Sequence, residues 1–95
     1  MTDSDKLFME ELKEEFKEQV SANFTQMQEL FEENKLDDIA KIAHDIKGMS
    51  GIFGLDEGTE IADQLREAAK EKKVEKTKEL LNQLRQYMKE NDIIS

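Results

Sequence analysis

Reactive side chains are scarce in this 95-residue sequence, which has one histidine, His44, and no cysteine. Neutral imidazole is a nucleophile near pH 7 and can form covalent intermediates. The missing cysteines exclude thiolate chemistry and a disulfide framework, and a single histidine leaves a zinc or haem site short of ligands. Lys41 and Lys47 bracket His44, and all four glycines (Gly48, Gly51, Gly54 and Gly58) fall within the eleven residues 48–58. No neighbouring base or orienting group suggests a hydrolytic triad. The arrangement suits an anion placed on, or brought to, the ring nitrogen. The two lysines would then offset part of a phosphoryl charge, the usual electrostatic task in phosphoryl transfer.

A helix is needed to turn this spacing into a surface. On a wheel of about 100° per residue with His44 at zero, Ile39, Ile42, Ile46, Met49 and Phe53 fall within roughly 40° of the opposite pole. That pole is the core face, so His44 should face away from the core. Ala40, Gly48, Gly51 and Leu55 lie within roughly 40° of His44, and Lys41 and Lys47 about 60° to either side. The histidine is thus expected on a smooth strip of small residues flanked by cations. Glycine inside a helix costs roughly 1 kcal/mol relative to alanine. Gly48 and Gly51 would carry that cost with no packing gain of their own, which points to close approach by another backbone or a partner. The alternative is a kink or an early end of the helix near Gly48.

The rest of the chain supplies elements to hold this helix. There is no proline, and glycine is confined to one window, which favours an all-α fold. Apolar residues recur at steps of three and four from Leu7 and Phe8 through Leu12, Phe16, Val20, Phe24, Met27, Leu30 and Phe31. This stripe predicts a long first helix, with Ser21-Ala22-Asn23 as the place where it would break in two. Its apolar face is assigned to the core, with a dimer seam as the other option. Asn34-Lys35 reads as its exit. A second helix is expected from an N-cap at Asp37 to about Phe53, closed by Gly54 in αL geometry. A third is capped by Asp56, carries Ile61, Ala62, Leu65, Ala68 and Ala69 inward, and ends near Lys70, Lys72 and Lys73. A fourth follows the stripe Val74, Thr77, Leu81, Leu84 and Met88, widened by Leu80 and Tyr87. The predicted fold is an up-and-down antiparallel four-helix bundle, with residues 1–95 as one domain and Asn91–Ser95 as a natural end.

Charge narrows the partners. The formal net charge is −9, which argues against nucleic acid because a polyanion would be repelled. Residues 1–38 carry −8 and residues 56–95 carry −2, whereas residues 39–55 carry +1. The histidine helix is therefore the one segment relieved of acid. No apolar run approaches the roughly 18 residues of a membrane span. The acid-rich start, Met1-Thr2-Asp3-Ser4-Asp5, does not resemble a signal peptide. A cytoplasmic monomer is the expectation.

The segment Ala43-His44-Asp45-Ile46-Lys47-Gly48-Met49-Ser50-Gly51-Ile52-Phe53-Gly54-Leu55 closely resembles the signature of histidine phosphotransfer (HPt) domains. That signature is a histidine, two residues, Lys-Gly, then small residues and a second glycine before an apolar residue. His44, Lys47, Gly48, Gly51, Gly54 and Leu55 match it, and the order of helices extends the resemblance over most of the chain. The resemblance implies that His44 is the phosphoacceptor, modified on Nε2, with Lys47 beside the phosphate; Lys41 is placed near it by the wheel alone. Gly48 would give room for a receiver domain to bring its aspartate close, with Gly51 and Gly54 on the docking surface. The expected partners are a response-regulator receiver domain and an upstream histidine kinase or hybrid kinase. No cofactor is expected on this chain, since Mg2+ would belong to the receiver. Arg66 is the positional candidate for a polar side chain reaching the site from the next helix, with Thr59 and Asp63 behind it. Met49 stands where the family often has a smaller residue, and Gly58 has no role beyond easing a turn. Two other readings stay open: the phosphoacceptor domain of a chemotaxis-type kinase, which usually has an extra helix, and an acidic helical adaptor that is never phosphorylated.

Overall fold

The computed structural model describes residues 3–95, so Met1 and Thr2 at the acid-rich start lie outside the described residues. Four helices follow in order, α1 (Asp3–Glu32), α2 (Leu36–Ile52), α3 (Asp56–Lys70) and α4 (Val74–Glu90), with no strand among the described residues. They form the up-and-down four-helix bundle that the periodicity predicts.

The three connections are built alike. Each is three residues long with a left-handed residue in the middle: Asn34 at φ 59°, Gly54 at φ 69° and Lys72 at φ 60°. In each, the residue after it donates its N–H to a carbonyl five positions back: Lys35 to Leu30 (2.8 Å), Leu55 to Ser50 (2.9 Å) and Lys73 to Ala68 (3.0 Å). This Schellman pattern satisfies carbonyls that the helix end would otherwise orphan. The donor residue then serves directly as N-cap of the next helix. Its carbonyl accepts the first bond there, as Leu55 does from Thr59 at 2.9 Å and Lys73 from Thr77 at 2.9 Å. For that reason the expected caps Asp37 and Asp56 are not caps. Lys35 and Leu55 hold those positions without a side-chain bond, and both aspartates lie in the first turn, facing the positive end of the dipole. Gly54 closes α2 as expected.

The first helix is also unbroken through Ser21-Ala22-Asn23. Its polar side chains are satisfied along the helix: Gln19 donates to Asn23 Oδ1 (3.0 Å) and Thr25 Oγ1 to the Ser21 carbonyl (3.3 Å). With no proline or glycine in α1, nothing forces a break.

The core runs through all four helices, with Phe16, Val20, Phe24 and Met27 facing Leu36, Ile39 and Ile46, then Ile61 and Leu65, then Leu80, Leu84 and Met88. Phe16 stacks on Phe53 with ring centroids 4.7 Å apart, fixing α1 to the end of α2. Arg85 of α4 lies over the Phe24 ring and donates to Gln28, closing the bundle between α1 and α4. Two expectations fail at helix starts. Leu7 and Phe8 are 57% and 62% exposed, not core, and Val74 is exposed as well. At 30 residues α1 is nearly twice as long as α2, so its first turns extend past the bundle with no helix opposite. Periodicity names a face, but the neighbour must exist for that face to be buried.

Gly58 has a definite place. It is buried in the α3–α4 seam, where a Cβ would meet Tyr87 Cε1 at 2.7 Å. Its role is close helix approach, not the easing of a turn.

Candidate functional site

The core face of α2 is fixed by Ile39, Ala43 and Ile46, all fully buried. The pitch of the helix therefore turns His44 outward, and it is exposed. The helix continues through Gly48 and Gly51 to Ile52, so neither glycine ends it early. Both are exposed, and a Cβ at either would find nothing within 4 Å. Among the described residues, then, no contact requires glycine at those two positions. Gly54 differs, because it sits at the left-handed position of the turn, where glycine is favoured. The small-residue strip is shorter than the wheel suggests, since Ala40 is buried and Leu55 half-buried. Ala40 lies under the groove that α2 forms with Arg66 and Lys70 of α3.

His44 stands on a ridge between two grooves. On the α3 side it shares an open groove with Asp37, Lys41, Asp45, Arg66 and Lys70, three cations against two carboxylates. On the α1 side it shares another with Gln19, Asn23, Gly48, Met49 and Ile52, which is uncharged apart from Asp45. An anion on the imidazole would therefore find its counter-charges on the α3 side. A partner backbone would find its clearance along Gly48 and Gly51.

The flanking lysines differ in their tethering. Lys41 is largely exposed and reaches Asp38 only loosely, at 3.8 Å. Lys47 leans to α3, where its Nζ donates to Asp63 Oδ1 at 3.0 Å. The same oxygen accepts from Arg66 Nη2 (3.0 Å) and Nε (3.3 Å), and Arg66 also reaches Glu67 at 3.0 Å. The bond from Lys47, followed by those from Arg66, holds the Asp63 carboxyl below its ordinary value of 3.8. Thr59 is turned to the Leu55 carbonyl and belongs to the helix start.

The structure thus brings together His44, Lys41 and Arg66 around one groove and His44 with Gly48 around the other, while Lys47 is joined to Arg66 through Asp63. Sequence reasoning missed Lys70, which lines the groove four residues after Arg66 and so on the same helical face. It also missed Gln19 and Asn23, whose i,i+4 spacing carried the same signal. Among the described residues no group of three or more His, Cys, Asp or Glu side chains is placed to hold a metal ion. Among the same described residues no helix is long and apolar enough to cross a membrane.

Compared with known families, the chain matches the family model of the Hpt domain over residues 11–91. No curated protein and no solved structure matches it.

Proposed function

The chain belongs to the Hpt domain family, phosphocarrier modules of phosphorelays, and on that premise we propose that His44 accepts a phosphoryl group from the aspartyl phosphate of a receiver domain and can return it. In this reading the Nε2 lone pair of His44 attacks phosphorus. The P–O bond to the receiver's aspartate breaks, and the carboxylate leaves with the electron pair. The Nδ1 proton then equilibrates with water. Reversal of these steps passes the group on to a receiver.

One observation carries the reading: His44 is exposed on a helix whose next two outward positions are glycines with open space in front of them. A nucleophile that must meet an aspartate on another protein needs such clearance. Lys47, Arg66 and Lys41 supply cations on the α3 side, where a phosphoryl group would develop contacts that offset its charge. The receiver would bring its own Mg2+ and most of the catalysis, which fits a site with so few polar groups. Residues 39–55, carrying +1 in an otherwise acidic chain, would face the receiver's acidic pocket with the favourable sign. A histidine kinase or hybrid kinase would stand upstream, and the chain would work as a cytoplasmic monomer.

The test is transfer from a phosphorylated receiver domain, followed by the stability of the label on this chain. A phosphoryl group that survives base, is lost in acid and is absent from His44→Gln supports the reading. Labelling only by a kinase ATP-binding domain would favour the chemotaxis-type alternative, and no label from any receiver or kinase would favour the adaptor.

A further inference from the structure

Asp63 is a carboxylate among the cations that the proposed chemistry calls on. Its Oδ1 collects Lys47 Nζ, Arg66 Nη2 and Arg66 Nε within 3.3 Å. Lys47 is one helical turn beyond His44, and Arg66 lines the groove that His44 also lines. Two cations beside the nucleophile, Lys47 by helical spacing and Arg66 by the shared groove, are therefore already engaged. Stability does not explain this cluster. Its side chains are 22–40% exposed, and ion pairs at such positions contribute little to folding. The α2–α3 contact is secured beneath it by Ile39, Ile46, Ile61 and Leu65.

We propose that Asp63 is the resident counter-ion of Lys47 and Arg66, and that a phosphoryl group arriving on His44 competes with it for both cations. The proposal rests on His44 being the phosphoacceptor. In the unphosphorylated protein Asp63 holds Arg66 at the groove and turns Lys47 toward α3, both oriented and partly neutralised. On phosphorylation they are shared with the phosphoryl oxygens, and Asp63 becomes a like charge near a dianion. The result is a ceiling on how tightly the site holds the phosphoryl group. A carrier needs that ceiling, because a group held too firmly on His44 is not passed on. Asp63 is thus a positioning residue that sets the balance between the free and phosphorylated states.

The test compares wild type with Asp63→Asn and Asp63→Glu, with circular dichroism confirming that the helices persist. Each is equilibrated with a phosphorylated receiver domain, and the fraction of phosphoryl on His44 is read. Asp63→Asn should raise the equilibrium constant toward phospho-His44 about threefold to tenfold, the scale of one charge removed from near a dianion at the protein surface. Asp63→Glu, which restores the carboxylate, should return most of the way. Independently of any receiver, His44 is phosphorylated chemically with phosphoramidate while the Arg66 Nε–H resonance is followed by NMR. That resonance should move in wild type as Arg66 turns to the phosphoryl group, and should start from a different position in Asp63→Asn. A phosphorylated His44 with an unmoved Arg66 resonance, or with an equal or lower partition in Asp63→Asn, overturns the inference and leaves the phosphoacceptor reading standing. Failure of both donors to label His44 overturns that reading, and the inference with it.

Discussion

Gly48 and Gly51 on α2 and Gly58 on α3 are the same residue kept for opposite reasons. At Gly58 a Cβ would strike the Tyr87 ring, so the chain itself explains the glycine through the closeness of α3 and α4. At Gly48 and Gly51 a Cβ would meet nothing, and the helix forgoes roughly 1 kcal/mol at each for no internal gain. One pair of helices is held together by contact, while the other glycine face is left empty beside the one histidine. A surface kept clear at a cost to the fold is best explained by something that must approach it.

The largest effect expected from this contrast lies in the seam. Gly58→Leu must displace the Tyr87 ring, and should lower stability by about 2 kcal/mol or more in chemical denaturation. A melt unchanged by that substitution would mean that the seam is not tight and that the contrast fails on its buried side. On the open face the sign reverses. Gly48→Ala and Gly51→Ala should each raise stability, by about 0.5–1 kcal/mol, because helix propensity improves and nothing is struck. A loss at either position would show an internal contact.

The smallest effect is ionic. Asp63 has a folded-state pKa below its ordinary 3.8, through Lys47 first and then Arg66. Its contribution is therefore present above 3.8 and is lost as pH falls through the lower folded value. Asp37, lowered by Lys72 at 2.8 Å, follows the same course. Urea titrations across pH 2 to 5 should show a slightly flatter acid limb for Asp63→Asn than for wild type, with Gly58 variants keeping the wild-type slope.

Much of this architecture was legible because it is local. Helix order, the outward turn of His44 and the αL turn at Gly54 all follow from spacing within a few residues. What stayed hidden was set by distant partners. Gly58 is explained by Tyr87, 29 positions on, and Lys47 is turned by Asp63, 16 positions on. Neither spacing has a period that a wheel can show. Leu7 and Phe8 misled for a related reason, since their stripe is real but the bundle ends before reaching them. The caps at Asp37 and Asp56 misled because each three-residue turn had already assigned the N-cap to the residue that closes the preceding helix.

On the proposed function, the open face around His44 is where a phosphoryl-bearing partner docks. The rate of transfer from a phosphorylated receiver to Gly51→Ala and Gly51→Leu, measured beside their melting temperatures, tests it most directly. Gly51→Leu should fold at least as stably as wild type yet accept phosphoryl at least about tenfold more slowly, the equivalent of some 1.4 kcal/mol of lost docking, while Gly51→Ala falls between. Equal transfer rates in all three proteins would contradict it.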